Sequence, residues 1–159
     1  KKSFKDRCRQ FIATEKRILE ENYKALKELQ VNLEKKVQAI KSSSEEVEDL
    51  LKLAEELSEY PPRLYICDEA GLQASSNIVR IDHHWDVEED AINKNWSWRP
   101  YFLKTIIKMR NDQSGVFSDI YSDIQTGEMI RTFSVPINEN EYMFIDISYD
   151  YLFKKNIFR

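Results

Sequence analysis

The stretch Asn95-Trp96-Ser97-Trp98-Arg99-Pro100-Tyr101-Phe102 holds the residue types best suited to binding chemistry. Trp98, Arg99 and Tyr101 offer aromatic faces and a fixed cation, and a helix starting there adds unsatisfied backbone N–H groups. Such groups suit a small anionic or aromatic ligand. They equally suit a core in which the tryptophans and Phe102 pack and Arg99 pairs a buried carboxylate. Asp146 is a second charged residue inside an apolar segment, Phe144-Ile145-Asp146-Ile147, so it too needs a partner or a ligand.

Asp82-His83-His84-Trp85-Asp86 is the most metal-like cluster. Adjacent histidines point in different directions along most backbones and need a third ligand from elsewhere, so a surface loop is the reading. Its Asp-His-His triplet resembles a phosphoesterase motif, but the further aspartate motifs are missing. Asp119 and Asp123 read as hairpin and solvent groups rather than an acid/base pair. No Gly-x-Ser-x-Gly, His-Glu-x-x-His or Cys-x-x-Cys occurs. The three glycines are too far apart to cradle a phosphate. Gly71, Gly115 and Gly127 each sit in a turn context, where positive φ explains them. Nothing demands catalysis, a metal or a cofactor, and the chain reads as a regulatory piece rather than an enzyme.

The elements that carry these residues fall into two parts, 1–60 and 61–159. The first 60 residues lack glycine and proline, and Ile12, Leu19, Leu26, Leu33, Ile40, Val47 and Ala54 recur every seven residues. A 3.5-residue apolar repeat with charged remaining faces needs a partner for its seam. The unbroken phase favours one continuous helix, about 75 to 80 Å long, in a parallel dimer. Ser42-Ser43-Ser44-Glu45-Glu46 fits a capping box and supports the alternative, a break into a hairpin. Tyr60-Pro61-Pro62 stops the helix.

Beyond it, strands are predicted at 63–67, more weakly at 72–79, and then at 116–122, 129–137 and 142–147, with a helix at 98–110 and an irregular acidic segment at 80–95. Residues 149–158 read as a short helix or a tail. The fold class is α+β: a long coiled-coil-like helix, then a PAS-like five-stranded antiparallel sheet with helices on one face.

The composition fits a folded protein, with 42% hydrophobic and 33% charged residues. A net charge of −4 leaves no excess of cations for nucleic-acid phosphates. No apolar run approaches the roughly 20 residues of a membrane span, and no signal peptide opens the chain. Cys8 and Cys67 therefore read as reduced thiols in a cytoplasm. The charged helical start looks like a piece cut from a longer polypeptide.

Four ordered motifs carry a resemblance over residues 61–153: Trp98-Arg99-Pro100-Tyr101-Phe102; Tyr121 through Glu128; Thr132-Phe133-Ser134-Val135-Pro136-Ile137; and Phe144-Ile145-Asp146-Ile147-Ser148. They resemble the Cache branch of PAS-like sensors, and more closely the EAL-domain-associated signalling sensor domain (YkuI C-terminal type) of bacterial cyclic-di-GMP phosphodiesterases. That family places a long helix between the EAL domain and the sensor, which fits residues 4–59. No EAL signature occurs in this chain. Relatives that bind amino acids use an arginine where Ser97 stands and Trp-Tyr where Tyr101-Phe102 stands. Tyr121 and Asp146 match the family's aromatic and amine-binding acidic positions. The resemblance implies a ligand site at Trp98, Arg99, Tyr101, Tyr121 and Asp146. It also implies a cytoplasmic sensor domain that binds a small molecule or partner and relays the signal through a dimeric helix to an EAL-type output domain. The alternative is a structural dimerisation module with no small ligand.

Overall fold

The computed structural model describes residues 3–39, 47–59, 63–99 and 102–154. Helix α1 runs Phe4–Gln38, started by Ser3, whose side chain accepts the Asp6 N–H. Helix α2 runs Val47–Glu56. The Lys36 Nζ donates to the Glu56 carbonyl oxygen at 3.1 Å. Twenty residues of unbroken helix would hold those residues about 30 Å apart, so the single continuous helix is ruled out. Ser42-Ser43-Ser44, where the alternative put the break, lies outside the described residues.

The physical reason is burial. Leu29, Leu33 and Val37 of α1 and Leu50, Leu53 and Ala54 of α2 enter the same core, together with Leu57. Both helices lay an apolar stripe on one sheet, and a seven-residue phase is what either arrangement requires. The phase alone did not distinguish them.

The sheet is antiparallel throughout, in the order β3-β2-β1-β7-β6-β4, with β5 also paired to β6. Its strands are β1 Arg63–Asp68, β2 Asn77–Ile81, β3 His84–Glu88, β4 Val116–Phe117, β5 Tyr121–Ser122, β6 Met129–Pro136 and β7 Glu141–Ser148. Seven strands replace the expected five for two reasons. The expected strand at 116–122 is two short pieces. The acidic segment read as irregular contains β3, joined to β2 by a two-residue turn with Asp82 and His83 at φ 47° and 82°. Side chains that tolerate left-handed backbone made this hairpin without a glycine.

Alternation along the central strands divides two cores. Leu64 and Ile66 of β1, with Met143, Ile145 and Ile147 of β7, face α1 and α2. Tyr65 and Cys67, with Tyr142 and Phe144, face α3, which runs Phe102–Asp112 and contributes Phe102, Ile106 and Met109. Covering both faces explains why β1 and β7 are buried almost end to end. A short helix α4, Tyr149–Lys154, closes the described chain and buries Leu152 in the first core.

Two glycines meet the expectation of positive φ: Gly71 at +88° and Gly127 at +72°. Gly115 does not. An added Cβ there would lie 2.2 Å from Cζ of Phe133, so close packing and not backbone freedom requires glycine at 115.

Candidate functional site

Three neighbouring strands put polar side chains in a row on the α3 face of the sheet. Arg63 of β1 lies opposite Asp146 of β7, and Asp146 lies opposite Thr132 of β6. All three are buried, as is Asp123 from the turn after β5. Arg63 makes a two-pronged pair with Asp123, Nη2 to Oδ2 at 2.6 Å and Nη1 to Oδ1 at 3.3 Å. Its Nη1 also lies 3.4 Å from Asp146 Oδ2. The Thr126 N–H and hydroxyl donate to Asp123 Oδ2 at 3.2 and 2.9 Å.

Thr132 Oγ1 donates to Asp146 Oδ1 at 2.7 Å, and Tyr121 Oη lies 2.5 Å from Thr132 Oγ1. A threonine hydroxyl carries one proton, so Tyr121 is the donor in the outer bond. Tyr121 and Asp146 thus converge on one hydroxyl. Asp146 is 1% exposed, and its Oδ2 has no hydrogen bond.

Burial pushes the Asp146 carboxyl above its ordinary range, opposed by the charge of Arg63, the Thr132 bond and the charge of Arg99. Burial also acts to raise Asp123, but the Arg63 bonds and charge with the Thr126 bonds outweigh it and hold that carboxyl low. Burial raises the Tyr65 hydroxyl and the Cys67 thiol, which leaves Cys67 inert as a nucleophile.

The 95–99 loop covers this face from outside. The Trp96 Nε1 donates to Gln73 Oε1 at 2.9 Å, and Gln73 in turn donates to Asn77. Arg99 stacks on Trp96 with its Cζ 4.1 Å from the ring centroid, and on Trp98 at 5.9 Å. Its charge lowers the pKa of Asp146, Tyr65 and Cys67, so it faces the site electrostatically. A cavity of about 250 Å³ lies beside Tyr121, walled by Lys104, Thr105 and Lys108 of α3 and by β4.

Of the five residues singled out, Tyr121 and Asp146 meet through Thr132, and the charge of Arg99 acts on Asp146. Trp98 is 57% exposed and backs the guanidinium from the solvent side. Tyr101 lies outside the described residues. The expected helix from Trp98 begins instead at Phe102, so Trp98 and Arg99 precede it. Arg63, Asp123 and Thr132 were missed. The reading of Asp123 as a solvent group is overturned by its pair with Arg63, which also forms an ion pair with Asp146. The available signal was polar residues at Arg63, Thr132 and Ser134 alternating with Leu64, Phe133 and Val135.

His84 begins the edge strand β3 and is exposed, its Nε2 3.1 Å from Oδ1 of the half-buried Asp86. Among the described residues, no group of three or more His, Cys, Asp or Glu is arranged to hold a metal ion. Both cysteines are free thiols. No described helix is long and apolar enough to cross a membrane. The site has ion pairs and hydrogen-bond groups to hold a ligand, and among its described residues no activated nucleophile.

The model of the EAL-domain-associated signalling protein domain matches residues 1–158. The uncharacterized EAL-domain containing protein YkuI of Bacillus subtilis (strain 168) is 42% identical over 158 residues, which are 98% of this chain and 39% of that protein. The chain therefore spans well under half of the relative it matches. The crystal structure of Bacillus subtilis YkuI, with an EAL domain and in complex with its substrate c-di-GMP and calcium, superposes at a TM-score of 0.86 over 95% of this chain and 38% of that one. The ligand-binding domain of Mlp24 with asparagine covers 95% of this chain and 60% of that one, at 16% identity and a TM-score of 0.44, a likeness too distant to carry an argument. The match is to the accessory domain and not to the EAL catalytic domain, and the chain belongs to the family of EAL-domain-associated signalling domains.

Proposed function

We propose that the chain is the cytoplasmic sensor of an EAL-type cyclic-di-GMP phosphodiesterase, binding a small molecule at the Asp146 face and relaying occupancy through a dimeric helix. The observation that carries the site is Asp146 itself: a buried carboxylate with one oxygen lacking a hydrogen bond, set between Arg63, Thr132 and the loop bearing Arg99. An amine-bearing ligand answers that oxygen, since a buried carboxylate gains most from a cationic donor.

The relay rests on the first half of α1. Phe4, Phe11, Ile12, Leu19 and Tyr23 are exposed, and a groove of about 800 Å³ is lined by Ile12, Leu19, Tyr23, Leu26 and Arg131. A second copy of the chain is the occupant, because Ile12 and Leu19 continue the seven-residue repeat of Leu26 and Leu33 beyond the part the sheet covers. Residues 1–60 then act as the signalling element and 61–159 as the sensor.

Thermal shift against a panel of free amino acids and polyamines tests the site. A ligand at a hundredfold excess over its Kd adds about 2.7 kcal/mol, a rise of about 5–11 °C in Tm. Asp146→Asn is expected to remove that rise while leaving the fold intact. If no compound shifts the parent, the alternative of a structural dimerisation module without a ligand takes its place. Sedimentation tests the relay: Ile12→Asp with Leu19→Asp is expected to convert dimer to monomer with unchanged far-UV circular dichroism, since both positions are exposed. A parent chain that is monomeric at high micromolar concentration rules the dimeric helix out.

A further inference from the structure

The inference rests on the relay proposed above and names the joint that would carry it. Gln30 and Glu34, one turn apart on α1, hold a single residue between α3 and β4. Glu34 Oε1 accepts the Gly115 N–H at 2.6 Å, and Gln30 Nε2 donates to the Gly115 carbonyl at 3.0 Å and to Glu34 Oε1 at 3.2 Å. Both backbone groups of Gly115 are thus satisfied by α1, 81 to 85 residues away along the chain.

From Gly115 the contacts lead back to the site. Three residues on, the Ser118 N–H donates to the Thr132 carbonyl at 2.8 Å, and the Thr132 N–H donates to Ser118 Oγ at 2.9 Å. Thr132 is the residue whose hydroxyl holds both Asp146 and Tyr121. On the other side, the loop before Gly115 hangs from α3, with the Gln113 N–H bonded to the Met109 carbonyl. Whatever moves Thr132 or α3 therefore moves the peptide that α1 grips.

Hollows of about 330 and 340 Å³ flank the clasp, and Ser114 and Gly115 line both. Close-packed contacts resist displacement, whereas a side-chain clasp between two hollows is directional and is made or broken as a unit. We infer that the Gln30–Glu34 clasp on Gly115 transmits the state of the Asp146 site to α1.

Hydrogen exchange read by mass spectrometry on α1 peptides tests this in a four-way comparison of the 159-residue chain: parent, Asp146→Asn, Gln30→Ala/Glu34→Ala, and the combination. Asp146→Asn stands in for a change of state at the site. In the parent background it is expected to alter α1 exchange about fivefold, the scale of one net hydrogen bond. With the clasp removed, it is expected to leave α1 exchange unchanged. If the double-alanine chain lacks the parent's circular dichroism, Glu34→Gln, which drops the charge but keeps an acceptor, replaces it and is expected to weaken the effect. An effect of Asp146→Asn that survives loss of the clasp overturns the joint and leaves the relay standing. No effect in the parent overturns the relay and the joint together.

Discussion

Arg63→Met is expected to lower the stability of the chain by about 3–5 kcal/mol at neutral pH, the cost of leaving buried charges without their partner. Asp123 and Asp146 both depend on this guanidinium, and both are almost wholly buried. Methionine is close in volume and apolar, so the loss reports the charge and not a hole. The deficit is expected to depend on pH. Burial raises both carboxyls, and Arg63 is the chief opposing influence, through its bonds and charge on Asp123 and its charge on Asp146. Without it, both folded-state pKa values move up, and that of Asp146, already raised, moves further above its unfolded value. Protons then bind more tightly to the folded state, so stability relative to the parent recovers as pH falls through the raised values. Urea denaturation at neutral pH and near pH 4.5, about the top of the ordinary carboxylate range, measures this. Asp123 bears on the parent in the opposite direction: its carboxyl is held low, so its contribution is present above the unfolded value and fades in acid. An Arg63→Met deficit below about 1 kcal/mol, or one that is the same at both pH values, would show that the pair does not carry the cluster.

Gly115→Ala is expected to destabilise by about 1–3 kcal/mol, and Gly115→Val by more, because overpacking a filled core forces side chains and backbone aside. The new Cβ would meet Phe133 at 2.2 and 2.6 Å and Glu34 Oε1 at 3.0 Å. Phe133 has no room to retreat, being fully buried with its ring centroid 4.8 Å from that of Phe117. Trimming Phe133 to leucine in the same chain is expected to recover part of the loss, a coupling that a double-mutant cycle in urea measures directly. Gly127 gives the contrast: nothing lies within 4 Å of its Cβ position, and its +72° backbone angle is what requires glycine. If Gly115→Ala is neutral, the contact between α1, Phe133 and the α3–β4 loop is looser than described.

Much of the molecule was legible from local pattern. Proline and glycine punctuation located β1 and the β5–β6 turn, and alternation located β6 and β7 within a residue or two of where they lie. Asp146 stood out because a carboxylate among Phe144, Ile145 and Ile147 needs a reason, and Tyr121 came from the likeness to Cache sensors. Edge strand β3 was not legible, because its apolar alternation is only Trp85 and Val87 between His84, Asp86 and Glu88, and no glycine marks the turn before it. Leu33 was misplaced for a different reason. Its seven-residue spacing suggested a seam between two chains, yet it is fully buried in the sheet's own core. The same stripe at Ile12 and Leu19 remains exposed.

The sequence by itself determined which residues want burial, where the chain turns, and the family to which it belongs, because those depend on side-chain type and short spacing. Tertiary structure alone decided which surface each stripe meets and which charges meet each other. Arg63 and Asp123 are sixty residues apart, and their pairing follows from the order of strands β1, β7 and β6 and the turn beside them. Glu34 and Gly115 are still further apart, joined only because α1 crosses the sheet beside the end of α3. Burial makes such pairings obligatory once the chain is compact, but no local pattern names the partner.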